Sequence, residues 1–319
     1  MLVNLYKSKT PLSVFSLPLL IALVCMPLLW GTENQPTYFF SWQTIAFSAI
    51  AQIPWLHYIL SVLWISLNAH QLNNVFNRNT FFSKDTFLPG FIYVTGLVTF
   101  EAVDFSPLLL AHLFFIGGLS FLLQMKRQEP AKTLLFAGSL LISLGIVFSP
   151  LLISLALLPW LALAIIRPFI WRDWVIALLG LALPVFYHYV IYFLATGEIS
   201  IRQMEVLLYE ESNVWTLLES AAYISLALCA CLGLLKFLGV MRNQLVNFKK
   251  ISQVILITAI LCSASFVLGY YVYSQFYLSF FIPLGIIISV QLLYSERPAL
   301  MGGFVMVWFL FATANLFFG

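Results

Sequence analysis

The chain has 319 residues, of which 62% are hydrophobic and only 8% charged, with a mean hydropathy of +1.00 and a formal net charge of +3. No soluble core of ordinary composition uses this much apolar surface, which excludes a soluble globular protein. The sequence reads as an all-α, polytopic transmembrane helical bundle, a single integral-membrane domain over residues 1–319.

A hydrocarbon core of about 30 Å needs about 20 apolar residues per crossing. Runs of that kind recur along the whole length and predict about eleven spans, near residues 12–30, 45–69, 87–103, 106–125, 134–149, 151–167, 174–195, 217–239, 251–272, 275–294 and 300–318. The first run follows Lys7 and Lys9 but carries Pro18 and Pro27 and lacks a small-residue cleavage site, so it reads as an uncleaved helix rather than a signal peptide. The pair at 134–149 and 151–167 is short, roughly 24 Å each at the helical rise, with a bend at Phe148, Ser149 and Pro150. After the seventh span, Ser200 and Gln203 fit a capping box. Ile201, Met204, Leu207 and Leu208 then recur at helical spacing against Arg202, Glu205, Glu210 and Glu211. That stretch reads either as an amphipathic helix in the interface or as a solvated link. Thr216 followed by Glu219 is a second capping box, at the start of the eighth span. Cys25, Cys229, Cys231 and Cys262 all fall within spans, where a thiol behaves as a small hydrophobe, so neither a disulfide framework nor a metal site is expected.

The charges alternate between successive connections. Lys7, Lys9, Arg78, Lys84, Lys126, Arg127, Lys132, Arg167, Arg172, Lys236, Arg242, Lys249, Lys250 and Arg297 all fall on one side, and Arg202 is the outlier. By the positive-inside rule these connections are cytoplasmic, the N-terminus is inside and the C-terminus outside, as expected for a bacterial inner-membrane protein. Glu33, Glu101, Asp104, Glu198, Glu205, Glu210, Glu211 and Glu219 fall on the outer side. A basic inner face suits an anionic leaflet of membrane lipids and argues against nucleic acid as a partner.

Ionisable groups that a membrane makes expensive to keep are the candidates for chemistry. Glu101 and Asp104 are three residues apart, so on a helix they share a face, and both fall at the outer end of the third span. His112 lies about 9 Å below the outer end of the fourth span and His188 about 10 Å below that of the seventh, while His57 is in the outer half of the second. Taken singly each histidine reads as a packing residue; their shared depth with two carboxylates and Arg202 fits an outward-opening polar cavity. Four histidines with His70 on the other side do not suffice for a di-iron or four-histidine iron centre. There is no phosphate loop, no H-E-x-x-H and no G-x-S-x-G, and no cofactor or metal is expected.

The stretches LNAHQLNNVFNRNTFFSKDTFLPGFIYV (67–94) and RPFIWRDWVIALLGLALP (167–184) resemble a family of multi-pass inner-membrane proteins of Bacteroidota, a resemblance that implies a membrane location and no particular reaction. More distantly, the layout is similar to the GT-C glycosyltransferases, which take a sugar from a polyprenyl-phosphate carrier on the outer side of the membrane. That likeness implies Glu33 or Asp104 as the base for an acceptor hydroxyl, Glu101 as its neighbour and Arg202 as the carrier-phosphate ligand. The chain departs from the class in having Glu33 within GTENQP where an Asp is usual, and in lacking a sizeable soluble domain. Two other classes stay open. One is a non-catalytic component of an envelope-assembly, secretion or motility machine, docking protein partners on its acidic outer face. The other is a lipid or small-molecule transporter, for which the inner half offers few polar residues beyond Asn68, Asn73 and Asn74.

Overall fold

The computed structural model describes residues 2–8, 10–30, 41–125, 131–197, 216–269 and 278–318. Every regular element among them is a helix: α1 (Leu2–Tyr6), α2 (Pro11–Val24), α3 (Ser41–Ala51), α4 (Pro54–Arg78), α5 (Leu88–Thr99), α6 (Pro107–Leu123), α7 (Lys132–Phe148), α8 (Leu158–Ile166), α9 (Trp171–Thr196), α10 (Leu217–Arg242), α11 (Val246–Gly269), α12 (Phe281–Tyr294) and α13 (Pro298–Phe318). Three 3₁₀ segments, Met26–Trp30, Pro150–Leu157 and 278–280, extend α2, precede α8 and precede α12. Among the described residues five helical segments are long and apolar enough to cross a bilayer: 11–30, 171–195, 217–242, 246–264 and 298–317. Five shorter apolar helices accompany them.

Burial explains the short ones. α5 and α12 have 12 and 14 residues, about 18 and 21 Å of rise, and α5 is buried along its whole length and α12 from Phe281 to Leu292. A helix apolar all round must be kept from water, by a core or by lipid, and these two are covered by other helices. α5 is enclosed by α4, α12 and α13, and α12 packs also on α10. α6 joins this group to a second one, packing on α4 on one side and on α7 on the other, with α9 against the far side of α7 and α11 against α8 and its 3₁₀ lead. Glycine permits a close approach of helix backbones at Gly90, where a Cβ would stand 2.7 Å from both the Ala69 carbonyl oxygen and Asn73 Nδ2 of α4. The Gly90 N–H in turn donates to Asn73 Oδ1 at 2.7 Å.

Two expected spans differ in detail. The run at 45–69 is not one helix: it breaks at Gln52 and Ile53, and α4 starts at Pro54 and continues to Arg78. A residue before proline is pushed out of the α region, and Ile53 is extended at φ −111° and ψ 91°. The run at 151–167 starts as a 3₁₀ helix of 8 residues before the 9 residues of α8. At about 2.0 Å per 3₁₀ residue the pair rises about 30 Å, which removes the shortfall that an all-α reading gives.

Contacts gather many basic residues at one end of the bundle. The Thr86 hydroxyl donates to the Tyr6 carbonyl, beside Lys7, and Asn77, beside Arg78, bonds both backbone groups of Thr86. Tyr294 donates to the Phe81 carbonyl, and Phe81 meets Phe248, next to Lys249. Lys250 Nζ donates to the Ile166 carbonyl at 2.8 Å, and Arg167 Nε lies 3.6 Å from Asp173 Oδ2, pinning the α8–α9 turn.

Candidate functional site

The opposite end carries Glu101, Asp104 and Glu219. α5 terminates in a Schellman motif: the Glu101 N–H donates to the Val98 carbonyl and the Ala102 N–H to the Leu97 carbonyl. That motif needs a left-handed residue at its turn, normally glycine, and here Glu101 adopts it at φ 52°. α4 ends the same way with Thr80 at φ 50°, the Phe81 N–H reaching back to the Phe76 carbonyl.

The strained turn aims the Glu101 side chain at α13. Asn315 Nδ2 donates to Glu101 Oε1 at 2.8 Å, and the Thr216 hydroxyl donates to Asn315 Oδ1 at 3.1 Å. Thr216 also closes the expected capping box, accepting from the Glu219 N–H while its own N–H donates to Glu219 Oε2. One polar chain therefore ties the end of α5, the end of α13 and the start of α10.

Beyond Glu101 the chain turns inward, and residues 102–106 are all buried. A buried backbone N–H requires a partner. That of Phe105 donates to His57 Nε2 at 3.0 Å, which fixes the His57 proton on Nδ1 and the imidazole as neutral in this arrangement. The Phe105 ring packs on Phe47 of α3 and near Trp64 of α4, so α3 covers the loop. Asp104, 5% exposed, has an Oδ1 with no hydrogen-bond partner among the described residues. Burial foremost, and then the charge of Glu101, push its carboxyl up to about 7. A carboxylate so tuned exchanges its proton near neutrality, as a general base must.

His112 lies deeper, wholly buried in the second turn of α6. Its Nδ1 shares a hydrogen bond of 2.9 Å with the Tyr93 hydroxyl and its Nε2 one of 3.1 Å with the Ser279 hydroxyl. Asn68 Nδ2 extends the network to the Leu109 carbonyl at 2.9 Å. Both ring nitrogens are thus engaged within the core. His188 is half-buried on α9, its ring against Tyr189, and α9 packs chiefly on α7 and α8 rather than on α5, which ends at Glu101. Glu33, Arg202 and the amphipathic stretch from Ser200 to Glu211 lie outside the described residues.

The structure therefore brings together Glu101, Asp104 and His57, seats His112 beneath them, and keeps His188 apart. Spacing alone does not reveal that Asn315 and Thr216 join Glu101. Nor does it reveal that Tyr93 and Ser279 complete the hydrogen bonds of His112, with Asn68 donating to the Tyr93 hydroxyl in turn, although an Asn and a Tyr inside apolar runs are the signal that such a network exists. Among the described residues no group of three His, Cys, Asp or Glu side chains could hold a metal ion. No family model, curated protein or solved structure matches this chain.

Proposed function

We propose that the chain is an eleven-span protein of a bacterial inner membrane, N-terminus inside and C-terminus outside. In this reading it transfers a sugar from a polyprenyl-phosphate carrier to an acceptor hydroxyl at the outer face. The observation that supports this best is Asp104: a buried carboxyl beside Glu101, with an oxygen unpartnered among the described residues and a proton affinity near neutral. In the reaction the bond from the sugar's anomeric carbon to the carrier phosphate breaks, its electron pair leaving with the phosphate. The acceptor oxygen bonds to that carbon, and Asp104 takes the proton the acceptor loses. Glu101 keeps Asp104 basic by its charge, and His57 holds the loop that carries it. Arg202, the lone outer cation of the sequence, binds the departing phosphate, because a guanidinium matches phosphate oxygens. Glu33 stands as the alternative base.

A second reading, a non-catalytic component of an envelope-assembly, secretion or motility machine, draws on a different observation. The Glu101 carboxylate is engaged by Asn315 and, through it, by Thr216. A carboxylate used to clamp three helix ends serves architecture as well as chemistry.

Native mass spectrometry of the detergent-purified protein separates the two. Catalysis predicts a co-purifying polyprenyl-phosphate species that is lost in Arg202→Ala, and a sugar-loaded carrier that accumulates in Asp104→Asn. Bulk phospholipid alone, unchanged in both variants, would overturn the transferase reading and leave the structural component.

A further inference from the structure

At the basic end of the bundle a groove of about 430 Å³ opens between α10 and the turn joining α12 to α13. Leu232, Leu235 and Met301 form its apolar wall, and Lys236, Glu296 and Arg297 its charged rim. Lys236 sits six residues before the end of α10 at Arg242, about 9 Å inward along the axis. It lies about 30 Å along α10 from Thr216 and so belongs to the end away from the carboxylate cluster.

An ammonium at that depth on an apolar helix must reach up to the interface or meet an anion there. Neither Lys236 nor Arg297 forms an ion pair among the described residues, and Glu296, on the same rim, pairs with neither. Two cations against one carboxylate leave the rim net positive. Directly below Lys236, on the same face of α10, is Leu232, and Leu235 beside it is 65% exposed. The wall under the charges is therefore apolar and open sideways, toward where acyl chains lie, rather than only toward the end of the bundle.

We propose that this groove binds one singly charged anionic phospholipid. Its phosphodiester sits between Lys236 and Arg297, and the upper part of an acyl chain runs along Leu232 and Leu235. Basic pockets between membrane helices on the cytoplasmic side are suited to such headgroups. The apolar wall separates a lipid from a free phosphate, which has no use for it. Glu296 selects among lipids: it repels a second phosphate but accepts hydrogen bonds from a hydroxylated headgroup such as glycerol.

The test is native mass spectrometry of the full chain in neutral detergent, titrated with phosphatidylglycerol, phosphatidylcholine or cardiolipin of matched acyl chains. The expected result is one retained phosphatidylglycerol. Its affinity falls on the order of 30-fold in Lys236→Gln/Arg297→Gln, is kept in Lys236→Arg, and does not change in Lys132→Gln on α7. Should the double variant fail to fold, Glu296→Gln decides: it is expected to keep phosphatidylglycerol and to gain cardiolipin. Equal retention of phosphatidylcholine, an unchanged double variant, no gain of cardiolipin in Glu296→Gln, or displacement of the lipid by inorganic phosphate would each overturn the proposal.

Discussion

Replacing Asp104 with Asn should flatten the pH dependence of stability around neutrality. In the unfolded chain the carboxyl loses its proton near 3.8, and in the folded protein near 7. At 1.36 kcal/mol per pH unit, that difference corresponds to roughly 4 kcal/mol against the ionised folded form. Because the folded state holds the proton more tightly, stability falls as pH rises through the window between the two values and levels off above it. Asn has no proton to lose, so its advantage over wild type should grow by about 2–3 kcal/mol between about pH 5 and about pH 8. The chain supplies its own reporter: Cys25, Cys229 and Cys262 are buried and Cys231 is exposed. On a Cys231→Ser background a thiol-reactive dye therefore follows thermal unfolding in detergent, and the midpoints of the two proteins should diverge with rising pH. Parallel midpoint curves, or an Asn variant less stable than wild type at the higher pH, would refute the assignment of Asp104 as a buried, under-solvated acid.

Thr80→Gly relieves a β-branched residue in the left-handed region and should stabilise the folded protein by about 1 kcal/mol, read as a higher unfolding midpoint. Gly90→Ala forces a methyl group against the Ala69 carbonyl and Asn73, and should destabilise by about 1–3 kcal/mol while also breaking the Asn73 hydrogen bond. His57→Leu strands the buried Phe105 N–H at a cost of about 1–3 kcal/mol, whereas His57→Gln, which keeps an acceptor, should recover part of the loss in the same assay.

Helix positions were largely legible because apolar run length and charge punctuation are local properties. The Thr216–Glu219 cap is an example: it depends on two residues three apart, and it forms. The break at Ile53–Pro54 was hidden by the hydrophobicity of the run, although the proline itself carries the signal. The short length of α5 and α12 reflects burial on all faces, which hydropathy does not distinguish from exposure to lipid. For the site, the adjacency of Glu101 and Asp104 follows from their spacing, but not the manner of it. Spacing placed both on one helical face, whereas a left-handed turn at Glu101 sends one side chain to α13 and the next residues into the core. The pairing of His57 with Phe105 joins residues 48 apart in sequence and has no local signature.

The hydrogen bond between His112 and Ser279 bears on how the protein is made. Its partners are separated by 167 residues, and the bonds from Trp308 to Thr99 and from Asn315 to Glu101 by 209 and 214. At about 5–20 residues per second of synthesis, His112 waits on the order of ten seconds or more between its own emergence and that of its last partner. During that interval the early helices hold an open polar ring nitrogen in an apolar setting. The C-terminal helices thus act as the closing step of assembly, because only they supply the last polar partners of the early ones.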